Sequence, residues 1–397
     1  MRELLSIDEA LALILERARP LPAEEVSLED AAGRVLAEPA RAAVDLPPFH
    51  SSAMDGFALR AEDTPGTLPV VARVAAGRPA GREIGAGEAM AIATGGVVPH
   101  GADAVIPFED VVEHDNTIEV GEPVAVGANV RPRGGDIRAG EGIAAAGTVV
   151  GPAQVGALAA AGLGTVLCSR RPRAAVVTTG TELRSPGTAL GEGEVYEANG
   201  VMLAAQLASA GAEVERLPPV EDDPTAHRAA LERALHADLV VTSGGVSVGA
   251  HDLVRRVESE LGVEEIFWGV AVKPGKPLSF GVRDATLIFG LPGNPVSSLV
   301  GFELFVRPAA LALQGAERPR PAFRTGRLAQ AVGRNAARDQ LIRARSREAE
   351  GVVELQPLSG QESHMIARAA AADALVLVPQ GDGELASGSE VRFLSLG

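Results

Sequence analysis

DLVVTSGGVSVG, residues 238–249, is an apolar run that enters a glycine-rich loop, and it decides the fold class. A helix is predicted after it, over residues 252–260. Two similar units flank it, where the apolar runs 174–178 and 286–289 also enter loops rich in Gly, Thr, Asn or Pro. Because predicted helices at 199–210, 225–235 and 295–313 alternate with these strands, the pattern predicts a parallel sheet in a three-layer α/β domain.

The sequence on either side of this domain has a different spacing of apolar and turn-forming residues. Ser6 and Glu9 form a capping-box pattern that predicts a helix through Arg17. A weaker start at Ser27 and Asp30 predicts a short helix that ends before Pro39. Short Val/Ile runs between Gly, Pro and Asp, among them 104–107 and 117–120, predict an all-β region over 46–150, and a helix follows over 152–161. After Pro319 short strands return, one of them at 374–378, and predict a small β-rich domain.

The amino-acid composition excludes several classes of function. A chain of 397 residues is long enough for two to four domains. Its formal net charge of −16 argues against binding to nucleic acid or to an acidic membrane surface. The single cysteine, Cys168, excludes an internal disulfide and a multi-cysteine metal site. No secretory signal is visible at the N-terminus, so a soluble cytoplasmic protein is expected.

Lysine usage singles out one turn. Of the 36 Lys and Arg residues only two are lysines, and both lie in VKPGKP, residues 272–277. Lysine carries a compact point charge, whereas arginine presents a wide planar fork. Lys273 and Lys276 therefore predict a site for a small, densely charged anion. The alternative is a surface turn in which lysine was retained by chance.

Three loops leave predicted strand ends, at 178–182, 243–252 and 291–298, and ligands of open α/β sheets bind at that edge. Gly244 and Gly245 let a backbone approach a ligand closely, and Ser243 and Ser247 offer hydroxyl groups. A helix starting at Pro295 offers free N–H groups near 296–298 for phosphate. Together the loops predict an anionic, nucleotide-like ligand, although each alone could be a tight connection.

Acidic residues accompany these loops. Glu182 and Asp252 each follow a glycine-rich loop, and Asp222 and Asp223 precede the helix that starts after Pro224. Such acids often serve only as helix caps. Carboxylates beside a phosphate loop are also what Mg²⁺ requires, because it binds one or two of them together with ligand oxygens and water.

A further segment, PPFHSSAMDGFA at 47–58, resembles the PPFxxSAMDGYA signature of the molybdopterin molybdenumtransferases, the family of bacterial MoeA and the gephyrin E-domain. Segments 93–99, 179–183, 242–252, 273–277 and 290–295 match the other motifs of that family in the same order. The resemblance spans essentially the whole chain. It implies a homodimer of four-part subunits: an α/β molybdopterin-binding domain (1–25 and 173–318), a connecting domain (26–45 and 137–172), an inserted β domain (46–136) and a C-terminal β-barrel domain (319–397).

The resemblance also implies an activity. Members of the family take adenylylated molybdopterin, the product of an upstream molybdopterin adenylyltransferase, and insert molybdenum from molybdate with release of AMP and a requirement for Mg²⁺. Matched motif by motif, the implied catalytic residues are Asp55, Glu182, Asp222 and Asp252, of which Asp55, Glu182 and Asp252 would bind the metal. Lys273 and Lys276 would hold molybdate. The other implied substrate-binding residues are Thr94, Gly244, Gly245, Ser247, Gly293, Asn294, Ser297, Arg343 and Ser363.

Several positions depart from the family pattern. They are His50-Ser51, Phe57 in place of Tyr, Gly135 in place of Glu, Ala250-His251 before Asp252, and Glu362 in place of Gly. The scattered histidines His50, His100, His251 and His364 have no zinc-site spacing. Two other functions stay open from sequence: an adenylyltransferase acting one step earlier, which would need ATP, and a non-catalytic scaffold. An oxidoreductase is disfavoured, because no G-x-G-x-x-G follows a strand.

Overall fold

The computed structural model describes residues 4–245, 253–349 and 351–396. Its central sheet has six strands with four parallel members. In spatial order these are Glu213–Arg216, Arg173–Thr178, Leu239–Ser243 and Thr286–Leu291. The side chains of the last three are largely buried on both faces, as a sheet covered by helices requires, whereas those of the edge strand Glu213–Arg216 are mostly exposed. The predicted α/β domain is confirmed.

The sheet is mixed, so the prediction of a wholly parallel sheet was wrong. Ser279–Arg283 and Glu264–Trp268 add antiparallel strands at one edge. Only Asp284 and Ala285 separate Arg283 from its partner Thr286, and Asp284 adopts a φ of 53°. A parallel connection needs a crossover of a dozen or more residues, whereas two residues suffice for a hairpin. The short connection therefore dictates the antiparallel pairing.

Helices cover both faces of this sheet. The N-terminal helix Ile7–Arg17 has the predicted capping box: the Glu9 N–H donates to Ser6 Oγ (3.2 Å), and the Ser6 N–H donates to the Glu9 carboxylate (2.8 Å). This helix packs into the core of the α/β domain, although more than 150 residues of other structure follow it in the chain. The remaining helical segments are Asn199–Ser209, Pro224–Ala234, Leu253–Glu260, Pro295–Gly301, the π-helical Phe302–Val306 and Arg307–Leu313.

A second unit is formed by residues that lie, along the chain, between the first helix and the strands of the central sheet. Ala23–Ser27 pairs antiparallel with Thr165–Ser169, and Ala40–Arg41 pairs with Gly142–Ala144 beside the helix Pro152–Ala160. The short helix predicted from Ser27 is wrong. The Asp30 N–H donates to Ser27 Oγ (3.3 Å), but this bond only closes a turn, and Gly33 adopts a φ of 78° three residues later.

The inserted region is all-β, as predicted. Its six-stranded sheet has its own apolar core around Phe57 and Ile118. The strands Ala104–Pro107 and Thr117–Val120 have the bounds expected from sequence. In sheet order the six strands are Ala104–Pro107, Gly56–Leu59, Ala89–Ile92, Gly66–Val74, Thr117–Val120 and Val112–His114, and Ser51–Ser52 pairs separately with Val130–Arg131.

The C-terminal region is a closed barrel of five strands. Asp339–Ala349 pairs with both Val352–Pro357 and Ala374–Val378, which closes the ring through Arg324–Leu328 and Glu390–Ser395. Val272–Lys273, from the α/β domain, adds a parallel strand to Asp339–Gln340. The lysine turn is therefore bonded through its backbone to the barrel. The domain boundaries drawn from sequence stay a prediction.

The helical stretch Pro295–Leu313 has a length and hydropathy that would suit a membrane span, and 78% of its apolar window is buried inside the protein. It packs in the core of the α/β domain, where Phe302, Phe305 and Val306 are fully buried. Its apolar composition is thus accounted for by the protein core.

One ion pair joins the start of Leu239–Ser243 to the preceding unit. Arg170 donates two hydrogen bonds of 2.7 Å to Asp238, and the Arg173 N–H adds a third of 2.8 Å. Burial raises the pKa of the Asp238 carboxyl, but these bonds outweigh it and leave the pKa below its ordinary value. The group therefore stabilises the fold above its unfolded pKa of about 4, and this contribution is lost as the pH falls through the folded pKa.

We therefore expect Asp238→Asn to lower the free energy of unfolding by about 2 kcal/mol at pH 7, since it leaves Arg170 without its charged partner. The loss should shrink towards pH 3, because below its ordinary pKa of about 4 the carboxyl of the unfolded chain takes up a proton and the wild type starts to lose this contribution. Urea unfolding at both pH values measures this. Glu232→Gln, in an exposed pair with Arg228, is the control and should cost less than about 0.5 kcal/mol. An equal loss at both pH values would contradict the electrostatic explanation.

Candidate functional site

The loops at the carboxyl ends of the parallel strands meet, as expected. The Thr179 N–H donates to the Ser243 carbonyl (3.0 Å), and the Gly180 N–H donates to the Val220 carbonyl (3.0 Å). The Gly244 N–H in turn donates to the Leu291 carbonyl (3.2 Å). Backbone hydrogen bonds thus fix the loops that carry Glu182, Asp222, Gly244 and Gly293 along one edge of the sheet.

Glycine is required at the centre of this edge. Gly244 adopts a φ of 99°, and a Cβ there would lie 2.7 Å from both the carbonyl oxygen and the Oγ1 of Thr179. Gly245 adopts a φ of 67°, and its Cβ would lie 2.5 Å from a methyl group of Val254. A Cβ on Gly293 would meet the Gly244 Cα at 3.8 Å. The backbones of the two loops therefore approach each other where the sequence predicted a ligand.

Asn199 is a candidate site residue that the sequence did not reveal. Its Nδ2 donates 2.8 Å hydrogen bonds to Ser243 Oγ and to the Gly293 carbonyl, so it links two of the loops. Its Oδ1 is buried and has no hydrogen-bond partner among the described residues. The sequence predicted only that a helix starts at Asn199. Its partners Ser243 and Gly293 lie 44 and 94 positions later in the chain, so these contacts depend on the tertiary fold.

The helix that starts at Pro295 does not offer the predicted row of free N–H groups. The Val296 N–H donates to the Ser363 carbonyl (3.0 Å), and the Ser298 N–H donates to the Asn294 carbonyl (3.1 Å). Two of the three N–H groups expected to bind phosphate are therefore occupied. Ser363 comes from the barrel, so no local pattern around Pro295 could have revealed this.

Both lysines line a cleft of about 490 Å³ between the α/β domain and the barrel. Neither ammonium group lies within 4.0 Å of a carboxylate of any residue that the structure describes, and the same holds for Arg338, which lines the opposite wall. Arg338 was missed because it lies in the barrel, 62 positions after Lys276. The same cleft is lined by Asn294, Ser297, Gln340, Gln361, Glu362 and Ser363.

Arg343 lies beside the cleft and is buried, with 1% of it exposed. The guanidinium donates to the carbonyls of Met365 (2.8 Å), Gly360 (2.7 Å) and Glu362 (3.2 Å). It therefore holds the loop that presents Ser363, and its direct contact with an oxyanion stays a prediction.

The predicted acids fall into separate places. Glu182 and Asp222 are exposed at the strand-end edge, where the Glu182 carboxylate folds back over Gly180. Asp252 and Ser247 lie outside the described residues. Among the residues that are described, no three His, Cys, Asp or Glu side chains come together as a cluster that could bind a metal. A metal here would need oxygen atoms from a substrate or from water.

Asp55 and Thr94 are brought together in the inserted β domain, where the Thr94 N–H donates to Asp55 Oδ1 (2.7 Å). Gly56 beside it is a structural necessity, since a Cβ there would overlap the carbonyl oxygen of Ile106. Within the described parts of the chain, no hydrogen bond or ion pair connects Asp55 or Thr94 to the lysine cleft. Gly56 is thus required for packing, while the neighbouring Asp55 presents an accessible carboxylate.

Three departures from the family pattern have a structural explanation. Phe57 is 1% exposed and packs edge-on against Phe108, with 5.0 Å between the ring centroids, so its ring fits an apolar core. His50 Nδ1 accepts a 3.4 Å hydrogen bond from the Arg133 N–H. A Cβ on Gly135 would lie 3.0 Å from Pro132, in a tight turn. His251 lies outside the described residues.

Comparison with known proteins covers nearly the whole chain. Residues 5–162 match the family model described as the MoeA N-terminal region (domain I and II). Residues 175–312 match the one described as a probable molybdopterin binding domain, and residues 325–396 match the MoeA C-terminal region (domain IV). The three models follow the order of the units in the structure.

Individual proteins agree with these matches. The chain is 37% identical over 410 residues to molybdopterin molybdenumtransferase 2 of Mycobacterium tuberculosis, covering 98% of this chain and 99% of the relative. It is 34% identical over 400 residues to molybdopterin molybdenumtransferase of Haemophilus influenzae, covering 98% of each. The crystal structure of the molybdopterin biosynthesis moeA protein from Pyrococcus horikoshii OT3 aligns with a TM-score of 0.85 at 30% identity, over 99% of this chain and 100% of the other. The chain therefore belongs to the molybdopterin molybdenumtransferase (MoeA) family, a family of transferases.

Proposed function

We propose that this protein is a molybdopterin molybdenumtransferase that inserts molybdenum from molybdate into adenylylated molybdopterin and releases AMP. The observation that carries the proposal is the cleft in which Lys273, Lys276 and Arg338 face one small volume without carboxylate partners among the described residues. A protein of net charge −16 needs such a local concentration of positive charge to attract a dianion.

The residues of the cleft suit molybdate. Ammonium groups are compact donors that can surround a tetrahedral oxyanion, and the Ser297 and Ser363 hydroxyl groups can donate to further oxygens. Insertion exchanges one oxo ligand of molybdate for the two sulfurs of the dithiolene, and that oxygen leaves as water with the two thiol protons. Cleavage of the phosphoanhydride by water releases AMP. In our proposal the cleft orients the oxyanion, and the strand-end loops bind the pterin and nucleotide.

We assign the acidic edge to a divalent cation, Mg²⁺. Glu182 and Asp222 follow Thr179 and Val220, which pair as neighbours in a parallel bridge, so the loops that carry the two carboxylates start next to each other. This donor set fits Mg²⁺, which takes one or two carboxylates and completes its shell with phosphate oxygens and water. When bound, the ion would offset the negative charge of the phosphoanhydride. Asp252 is assigned to the same edge from its position in the motif alone.

Asp55 and Thr94 support a homodimer. They form a hydrogen-bonded pair in the inserted domain, apart from the cleft of their own chain as far as the described contacts go. We propose that this pair completes the site of a second protomer. We also propose a cytoplasmic location and substrate supply by an upstream molybdopterin adenylyltransferase, since the substrate must arrive already adenylylated.

The test is AMP release from adenylylated molybdopterin with purified protein, molybdate and Mg²⁺. We expect AMP and molybdenum-loaded molybdopterin in equal amounts, with little AMP when either molybdate or Mg²⁺ is omitted. ATP with unmodified molybdopterin is the matched control and should give no product. Adenylylation in that control would favour the earlier pathway step, and absence of turnover in both would favour a scaffold.

A further inference from the structure

His227 is a buried histidine that the proposed function has not used. It lies in the first turn of the helix Pro224–Ala234, and its side chain is 2% exposed. Neither Nδ1 nor Nε2 has a hydrogen-bond partner among the described residues. Buried polar side chains nearly always have a partner, so two unpaired nitrogens on one ring call for an explanation.

The groups that face the ring belong to the strand-end edge. The Asp222 carboxylate lies 4.0 Å from Nε2, and the Glu221 backbone and the Asp223 carboxylate face the imidazole as well, but none of the three meets hydrogen-bond geometry with a ring nitrogen. Burial lowers the pKa of His227 below its ordinary value, although Asp222 opposes this. The ring is therefore neutral at pH 7, with one N–H to donate and one nitrogen to accept.

The backbone around Asp222 is fixed, whereas its carboxylate is free to rotate. On one side the Val220 N–H donates to the Thr178 carbonyl (2.8 Å). On the other, Asp223 accepts from the Ala226 N–H (2.8 Å) and, through its carbonyl, from the His227 N–H (2.9 Å). The Asp222 side chain is 53% exposed and accepts no hydrogen bond among the described residues. A rotation of this side chain is enough to bring one oxygen within reach of Nε2.

We propose that His227 is a positioning residue that donates Nε2–H to one oxygen of Asp222 when the site is loaded, which directs the other oxygen to the substrate or its cation. Carboxylates that bind metals are commonly held by such a hydrogen bond, and losing it typically costs ten- to a hundredfold in affinity or activity. The inference rests on the proposed role of Asp222. It explains why a polar ring occupies a site that an apolar side chain could fill.

A ring that merely fills space makes a different prediction for activity. If His227 were only core packing, His227→Leu, which has a similar volume, would leave kcat nearly unchanged. In the positioning role, His227→Leu removes two unpaired buried nitrogens, so its urea midpoint should equal or exceed that of wild type. Its kcat should nevertheless fall about tenfold, with the KM for molybdate unchanged.

Two further variants sharpen the test. His227→Gln keeps an amide N–H and should recover most of kcat. Asp222→Asn combined with His227→Leu should be no slower than Asp222→Asn alone, because the histidine acts only through that carboxylate. Joint loss of stability and kcat in His227→Leu without rescue by Gln, or an additive double variant, would overturn the proposal.

A second readout separates this inference from the proposed function. In NMR spectra of the folded protein, adding Mg²⁺ with AMP should shift the imidazole signal of His227 in wild type, with His227→Leu used for assignment among the seven histidines. The shift should be absent in Asp222→Asn. An unmoved signal in wild type overturns the positioning role. If the shift is present but no AMP is ever released, the proposed function fails instead.

Discussion

Lys276→Ala should raise the molybdate concentration needed for half-maximal AMP release by about thirtyfold. A hydrogen bond between charged groups is worth about 1.5–3 kcal/mol, and every 1.4 kcal/mol is a factor of ten. The Lys276 side chain is exposed and outside any ion pair among the described residues, so stability should not change. Its carbonyl accepts from the Val270 and Leu278 N–H groups, and alanine keeps these bonds. Steady-state kinetics over a molybdate titration measures the effect.

Two comparisons make the result specific to the compact charge. Lys276→Arg keeps the charge but replaces a point cation by a planar fork, so it should recover only part of the loss. Arg283→Ala removes a cation from the hairpin of the same sheet, 40% exposed, and should leave the molybdate requirement unchanged. If Lys276→Ala and Arg283→Ala behaved alike, the cleft would not be the molybdate site.

Gly244→Ala should destabilise the α/β domain by about 2–5 kcal/mol. A left-handed backbone costs an L-residue about 1–2 kcal/mol, and an unfavourable contact in packed surroundings adds about 1–3 kcal/mol. Gly244 would incur both, because its φ is 99° and its Cβ would lie 2.7 Å from Thr179. Trp268, the single tryptophan, lies in the central sheet, so its fluorescence during urea unfolding reports on this domain.

Gly262→Ala is the matched control. Gly262 also has a left-handed φ, 81°, but nothing lies within 4 Å of a Cβ placed there. Gly262→Ala should therefore lower the free energy of unfolding only by the cost of the left-handed backbone, about 1–2 kcal/mol. The difference between the two variants measures how closely the Thr179 and Gly244 loops are held together. Equal losses would mean that the Thr179 loop moves aside at no cost.

Sequence predicted the elements whose signal is local. Ala374–Val378 has the expected bounds because an unbroken apolar run lies between polar turns. Glu264–Trp268 was missed because most of its side chains are at least partly exposed, which gives no clear period. The strand Ala23–Ser27 exists through its pairing with Thr165–Ser169, a partner about 140 positions away. Beyond Ser27 the chain turns, and Val35 and Leu36 pair with Val149 and Cys168, so distant pairing outweighed the local helix signal there.

The candidate site divides in the same way. Lys273 and Lys276 could be predicted because they break a pattern of composition that holds over the rest of the chain. Arg338 could not, since one of 34 arginines carries no such signal. Ser363 was matched by motif, but its carbonyl contact to Val296 depends on how the barrel docks. The carbonyl contacts of Arg343 could not be predicted either, because charge alone does not show which groups surround a guanidinium.

The strand Val272–Lys273 belongs to the barrel sheet by hydrogen bonding, while the residues around it belong to the α/β core. The proposed anion site therefore requires the docked arrangement, since each domain alone carries only part of its cationic and hydroxyl donors. In this proposal a bound dianion stabilises the docked state by a free energy that rises with the logarithm of its concentration. The supply of oxyanion would then also determine how firmly the barrel is held against the α/β domain.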